Sequence, residues 1–163
     1  MAYCPGYDIG VAWDRVQPFY SWLMTSRLKR HFLARHERAL SHLDGYADCL
    51  AARDLAQFHR RLYPLTGCSD YDEYLTRSNP ANVFADVATP LLVLNADDDP
   101  VCVVDNVRDH VDAVRTVPDA LLVRTPRGSH CAFFEGRRPR SWANRLIAGY
   151  LLAAAEVLAL KRD

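Results

Sequence analysis

Apolar residues recur every three or four positions through the first half of the chain, the spacing that predicts amphipathic helices. In the second of these stretches the basic side chains lie mostly off the apolar stripe, as in a helix with one buried face. A proline and a glycine follow the third stretch and are expected to end it. The first half is therefore predicted to be helical, with helices at residues 11–23, 27–43 and 47–62.

The pattern changes to short, unbroken apolar runs in the second half. Residues 90–95 form such a run, bounded by Pro90 and an acidic turn, which is typical of a strand buried on both faces of a parallel sheet. Strand, helix, strand and helix in that order predict a βαβ unit with a right-handed crossover. The other predicted elements are a buried strand at 120–124, helices at 104–114 and 140–160, and a strand stub at 2–4.

Two strands and a stub are too few for a complete open sheet, because they cannot cover both faces or protect the edges. The chain is therefore predicted to be the C-terminal part of a single, larger α/β domain. Within it, residues of about 11–85 form a helical region and residues of about 86–160 form the end of the βαβα core.

Polar residues with chemical potential follow both predicted strands. Asp97, Asp98 and Asp99 come directly after the first strand, and His130 lies in the loop after the second. Functional residues of open α/β sheets gather at the carboxyl ends of strands. A carboxylate followed along the chain by a histidine matches the order of acid and base in a Ser-His-Asp triad of the α/β-hydrolase type.

Several stretches resemble one family. They are PLLVLNADDDP from Pro90, RGSHCAFFEG from Arg127, a tryptophan at the start of the last helix, and CPGYDIGVAWDRVQPFYSWLMTSRLKR from Cys4. In their order along the chain they resemble the carboxyl-terminal half of α/β-hydrolase-fold lipases and esterases of the AB hydrolase 4 family, in its monoacylglycerol lipase branch. The resemblance runs from about Tyr3 to Leu152. It implies a partial α/β-hydrolase fold with cap-like helices and without the nucleophile half.

The resemblance implies that His130 is the base and Asp99, the aspartate before the proline, is the acid. Asp98 stays open as the alternative acid. Ser129 stands where the family usually has glycine, in a loop that must turn tightly to aim the imidazole. Cys131 follows the base directly, and we expect it to be a small packed residue and not a nucleophile.

The nucleophile elbow G-x-S-x-G does not occur among the 163 residues. Its glycines are required because the turn is sharp and the backbone approaches closely. By the resemblance, the elbow and the oxyanion-hole donors precede the segment that begins this sequence. The chain is therefore expected to carry the acid and base of a hydrolase for acylglycerols or other lipid esters, and to be inactive alone.

Composition narrows the possible partners. The 20 basic and 20 acidic side chains give no net charge, which argues against a nucleic-acid partner. The five cysteines are widely spaced and include no C-x-x-C, so the sequence predicts neither a zinc cage nor a disulfide framework, and no metal or cofactor. The expected partner is a lipid ester substrate.

The expected location follows from the resemblance and from hydropathy. The apolar run 146–160 contains Glu156 and is shorter than the roughly 20 residues of a membrane span. No signal peptide is predicted either, so the chain itself is expected to be cytoplasmic. The resemblance implies a membrane-associated protein, held through a segment that lies outside this chain.

Two alternative functions compete with the hydrolase prediction. A non-catalytic remnant that binds a protein or lipid is favoured by the missing elbow. A metal-dependent phosphotransferase is suggested by the three adjacent aspartates, since paired aspartates after a strand can hold magnesium. For the aromatic cluster Tyr20, Trp22, Leu23 and Met24, packing in the core is expected over an acyl-binding role.

Overall fold

The computed structural model describes residues 1–160, which divide into two compact units. Of the described residues, the sheet unit consists of Met1–Pro5 and residues 84–160. The helical unit consists of Gly6–Val83. The sheet unit thus combines the first residues of the chain with its second half.

Three parallel strands in the order β1-β2-β3 form the main sheet. The predicted stub is present as β1, which pairs through Ala2 with Val93 and through Tyr3 with Leu94. β2 pairs with β3 in register from Leu91 opposite Ala120 to Ala96 opposite Thr125. The strands are β1, Ala2–Tyr3; β2, Leu91–Ala96; and β3, Ala120–Thr125.

The central strand β2 forms the core of this unit. Leu92, Val93 and Leu94 have no solvent exposure, as predicted for a strand covered on both faces. β3 differs from its prediction, because it is half-buried and Leu121 is 47% exposed. Its apolar sequence resembles that of β2, but β3 lies at the edge of the sheet, where burial on both faces is not achieved.

Two helices and a short antiparallel pair complete the sheet unit. Helix α7 connects β2 to β3, as the βαβ prediction requires. The first turns of α8 pack on a core cluster that includes Phe133 and Ala143, through Trp142, Leu146 and Ile147. These elements are α7, Val104–Thr116; β4, Phe134–Glu135; β5, Arg140–Ser141; and α8, Trp142–Leu160.

The last helix, predicted at 140–160, is exposed over most of its second half. Leu151 and Leu158 are 54% and 41% exposed, respectively. By length and composition alone, α8 is also apolar enough to cross a membrane, although the sequence predicted no span. The core helix of a soluble protein meets the same criterion.

The helical unit contains more and shorter helices than the sequence predicts. A π-helical turn at Lys29–Leu33 and a 3-10 turn at Tyr63–Thr66 extend two of them, and a further 3-10 segment, Pro80–Asp86, leads back to the sheet unit. The α-helices are α1, Ile9–Arg15; α2, Pro18–Leu28; α3, Glu37–Leu40; α4, Tyr46–Ala51; α5, Leu55–Leu62; and α6, Tyr71–Ser78.

Local capping explains where these helices begin. Pro18 occupies the start of α2, where its missing amide hydrogen costs nothing, and it splits the predicted helix 11–23. Asp54 caps α5 by accepting from the Gln57 amide at 2.8 Å, and it splits the predicted helix 47–62. Asp70 caps α6 in the same way, and the apolar spacing did not predict this helix.

The single helix predicted at 27–43 is also wrong. Helix α2 ends at Leu28, a π-helical turn follows at Lys29–Leu33, and α3 begins at Glu37.

We expect Leu94→Ala to lower the free energy of unfolding by about 2–5 kcal/mol, because it removes a fully buried side chain from the central strand. Leu121→Ala makes the same change on β3, where the side chain is 47% exposed, and should lose well under half as much. Urea denaturation followed by circular dichroism measures both variants. Equal losses would contradict the assignment of the core to β2.

Candidate active site

Two loops leave the sheet side by side at the carboxyl ends of β2 and β3. The Asp97 amide donates to the Thr125 carbonyl oxygen at 2.8 Å and ties the loops together at their origin. The carboxyl ends of parallel strands are where α/β sheets place their binding residues. The aspartates 97–99 and His130, which the sequence predicted for the site, therefore lie at the same end of the sheet.

Asp99 and His130 contact each other across these loops. Asp99 is 2% exposed, and its Oδ2 lies 2.9 Å from His130 Nδ1. Its Oδ1 accepts from the amides of Val101 and Cys102 at 2.7 and 2.9 Å. An ionised carboxylate only accepts hydrogen bonds, so Nδ1 carries the proton and Nε2 of the neutral ring is an acceptor. The imidazole side chain is 38% exposed and open to a reacting group.

Each partner shifts the pKa of the other. Burial alone would raise the pKa of the Asp99 carboxyl, but the hydrogen bonds from His130 and from the two amides outweigh it, and the pKa is lowered. The hydrogen bond to Asp99 raises the pKa of His130 against the opposing effect of burial. The site therefore holds a buried carboxylate that stabilises the protonated form of an accessible imidazole.

Asp98, the alternative acid, has a different partner. Its Oδ1 accepts from the amides of Gly128 and Ser129 at 2.8 and 2.7 Å. These amides precede His130 by one and two positions, so Asp98 holds the loop that carries the imidazole. Sequence reasoning missed this positioning contact, because a carboxylate that binds backbone amides leaves no spacing signal.

Asp97 has a third partner. It forms an ion pair with Arg124 on β3, with Arg124 Nη2 at 3.0 Å from Asp97 Oδ2. Hydrogen bonding from Arg124 lowers the pKa of Asp97. Three successive carboxylates thus engage a guanidinium, two amides and an imidazole. A magnesium site for phosphoryl transfer needs carboxylates that share one ion, so this arrangement does not favour that alternative.

The backbone around His130 turns tightly. A Cβ at Gly128 would lie 2.5 Å from the Phe133 ring and 2.9 Å from Ala96 Cβ, so only glycine fits there. Ser129, which stands where the resemblance expects glycine, has a φ of +48°. This left-handed conformation costs a side-chain-bearing residue roughly 1–2 kcal/mol. The departure at Ser129 leaves the loop turn intact but strained.

Cys131 does not pack as expected, because it is exposed. Its carbonyl oxygen accepts from the Tyr3 hydroxyl at 3.2 Å, and Tyr3 comes from β1. Cys4, the residue directly after β1, is buried. These first residues of the chain thus lie against the loop of His130. The sequence does not indicate this contact, because the two segments are far apart along the chain.

The helical unit contains an apolar groove of about 500 Å³, lined among others by Trp13, Met24, Phe32 and Leu55. His59 also lines it, stacked on Trp13 with ring centroids 4.1 Å apart, and burial lowers the pKa of His59 to about 4. The imidazole is therefore neutral at physiological pH and suits an apolar surface.

Two aromatic residues of the helical unit are not core residues, contrary to expectation. Tyr20 and Trp22 are 36% and 57% exposed. Neither lines the apolar groove, whereas Met24 of the same predicted cluster does. Apolar residues at helical spacing therefore do not mark a buried face in this part of α2.

Comparison with known proteins identifies relatives of one kind. The chain is 23% identical to Monoacylglycerol lipase ABHD2 of Danio rerio over 94% of this chain and 40% of the relative. It is 30% identical to Monoacylglycerol lipase of Saccharomyces cerevisiae over 55% of this chain and 20% of the relative, and 24% identical to Protein ABHD15 of Homo sapiens over 92% and 31%. No family profile and no solved structure matches significantly.

These relatives confirm the resemblance to α/β-hydrolase-domain proteins that the sequence motifs indicate. The chain spans about 40% of the length of the first relatives, and its three parallel strands with helices fit a partial α/β-hydrolase fold.

We expect the stability lost in Asp99→Asn to be largest between about pH 4 and pH 6.5. Asp99 stabilises the fold above the usual carboxyl pKa of about 4 and loses this effect as pH falls through its lowered pKa. His130 stabilises it fully below the usual imidazole pKa of about 6.5, and the effect disappears as pH rises through its raised pKa. Urea denaturation across the pH range measures the difference.

Asp98→Asn is the matched control for this experiment, because its amide oxygen still accepts from the Gly128 and Ser129 amides. The stability lost in Asp98→Asn should not be larger between about pH 4 and pH 6.5 than outside that range. Wild-type and Asp99→Asn stabilities that run parallel across the whole range would contradict the ion pair.

Ser129→Gly should raise the free energy of unfolding by up to about 1 kcal/mol, since glycine adopts the positive φ at this position without strain. Ser129→Ala removes the same hydroxyl but keeps a Cβ, and should give no gain. Thermal denaturation compares the two variants, and equal effects would show that backbone strain at Ser129 is not significant.

Proposed function

We propose that this chain supplies the acid and the base of a serine-hydrolase-type lipase or esterase that cleaves acylglycerols or other lipid carboxylic esters. His130 is the base and Asp99 is the acid. The observation that carries this proposal is the 2.9 Å contact between a buried carboxylate and an exposed imidazole at the carboxyl ends of the strands.

Each residue has a defined task in this mechanism. His130 Nε2 accepts the proton of the nucleophilic hydroxyl as the hydroxyl attacks the ester carbonyl, and then gives it to the leaving alcohol. Asp99 keeps the proton on Nδ1 and stabilises the imidazolium that forms. The pKa shifts of both groups support these tasks, because they favour a charged pair during proton transfer.

The nucleophile in this proposal is a serine from polypeptide outside the 163 residues. The absence of G-x-S-x-G from this sequence supports that assignment, as does the coverage of only about 40% of the relatives' length. An acid and base without a nucleophile lose nearly all covalent catalysis. The 163 residues alone are therefore proposed to be inactive toward esters.

Lipid esters are the substrate class that two observations favour. The Danio rerio relative and the Saccharomyces cerevisiae relative are both named as monoacylglycerol lipases. The helical unit, here proposed to be a cap-like region, provides an apolar groove of about 500 Å³ that suits an acyl chain. Association with a membrane is proposed to occur through a segment outside this chain.

A second candidate function is binding without catalysis, to a lipid or a protein partner. The missing elbow favours it for the 163 residues taken by themselves, and so does the exposed apolar surface of α8, where Leu152 is 68% exposed. The two candidates make opposite predictions about ester hydrolysis when a nucleophilic serine is provided.

A chimera tests the proposal, in which these 163 residues replace the matching stretch of the Danio rerio relative. We expect the chimera to react with a fluorophosphonate probe and to hydrolyse a monoacylglycerol. His130→Ala should lower the hydrolysis rate by about 10³-fold or more, because the serine loses its base. Asp99→Ala should lower it for the same reason.

Asp97→Asn is the control, since Asp97 contacts Arg124 and not the imidazole, and hydrolysis should stay within a few-fold of the unmodified chimera. A folded chimera that does not react with the probe would favour the binding function. Hydrolysis that survives His130→Ala, or hydrolysis by the 163 residues alone, would overturn the proposed roles.

A further inference from the structure

A second group of chemically active side chains surrounds His130. The thiols of Cys4 and Cys131 and a ring nitrogen of His130 all lie within 4.8 Å of one another. Cys4 follows strand β1, whereas the other two residues are in the loop after β3. Three potential ligands from two separate parts of the chain thus converge at one point.

The backbone fixes these positions. The Cys4 amide donates to the Leu94 carbonyl oxygen of the central strand at 2.8 Å, and the Tyr3 hydroxyl donates to the Cys131 carbonyl oxygen at 3.2 Å. The rings of Tyr3 and Phe133 also pack with centroids 5.4 Å apart. The thiols are therefore held near each other by the sheet and do not depend on a flexible terminus.

From this geometry we propose that the sheet unit binds a thiophilic divalent cation, with zinc as the expected metal and Cys4, His130 and Cys131 as its ligands. Zinc binds thiolate sulfur at about 2.3 Å and imidazole nitrogen at about 2.0 Å, so ligand atoms of a tetrahedral site lie roughly 3.3–3.8 Å apart. Small side-chain rotations bring atoms within 4.8 Å to that spacing.

The ligand chemistry selects the metal. Two thiolates and an imidazole favour zinc, cadmium, cobalt or copper and disfavour magnesium and calcium, which take oxygen ligands. Three protein ligands leave the fourth tetrahedral position open to water or another small ligand, as in metal sites that exchange ligands.

Asp99 fits the proposed site as the partner of the ligand histidine. Metal-bound imidazoles commonly donate their other ring N–H to a carboxylate, which fixes the ring and strengthens the ligand. Asp99 already accepts from His130 Nδ1 at 2.9 Å. The same pair that suits proton transfer therefore also suits a carboxylate–histidine–metal arrangement.

Zinc at this site would occupy the histidine that the proposed hydrolase uses as its base. Zinc inhibition of ester hydrolysis is a consequence that rests on the proposed function. The binding site itself does not, because it is assigned from the positions of the ligands alone.

The test uses the protein, fully reduced and free of chelators, titrated with Co²⁺ and with Zn²⁺. We expect one equivalent of cobalt to produce a thiolate-to-metal charge-transfer band, and one equivalent of zinc to displace it. Cys131→Ser and His130→Ala should each weaken zinc binding at least tenfold. Cys4→Ser should do the same, and Cys131→Ser keeps the test valid if the buried change at Cys4 prevents folding.

Cys68→Ser, in the helical unit, is the control for a free thiol, and binding should be unchanged. Cys102→Ser separates this site from the neighbouring group of Asp99, Cys102 and His130, whose ligand atoms also lie within 4.8 Å of one another. Binding lost in Cys102→Ser but kept in Cys131→Ser would overturn the assignment. The absence of a thiolate band, or unaltered binding in Cys131→Ser, would also overturn it, whatever the outcome for ester hydrolysis.

Discussion

The parallel pairing of β2 with β3 is the constraint on which the candidate site depends. Its register places Ala96 opposite Thr125, so both strands end at the same level and their loops leave the sheet together. The buried apolar residues of β2 hold this register, because a slip of one position would exchange its two buried faces and place Leu92 and Leu94 where the packing now fits Val93. Asp99 and His130 meet only because of that alignment.

In the loop after β2, three adjacent aspartates each bind a different part of the site. Asp97 pairs with Arg124, Asp98 accepts from two loop amides, and Asp99 faces the imidazole. One acidic turn therefore binds strand β3, the loop after β3 and the His130 imidazole. This division also explains why an exchange of roles between Asp98 and Asp99 does not fit the geometry, since each carboxylate already has partners of its own.

The three strands of the main sheet could be predicted, and so could the place of the candidate residues after them, because an apolar run such as Leu91–Leu94 and a polar turn after it are local signals. The helical unit could be predicted only in outline, because apolar spacing does not reveal where capping by Asp54 or the π-helical turn at Lys29–Leu33 divides a helix. The proximity of Cys4 to Cys131 could not be predicted at all, since it depends on β1 pairing with a strand far along the chain.

The central claim is that Asp99 orients His130 as a base, with the proton on Nδ1 and with Nε2 available. Nitrogen-15 NMR of the histidine ring measures this directly, because the two nitrogens have distinct shifts in each tautomer. The account predicts that neutral His130 is the Nδ1–H tautomer and that its pKa lies above the usual value of about 6.5. A neutral ring protonated on Nε2, or a pKa below the usual value, would contradict it.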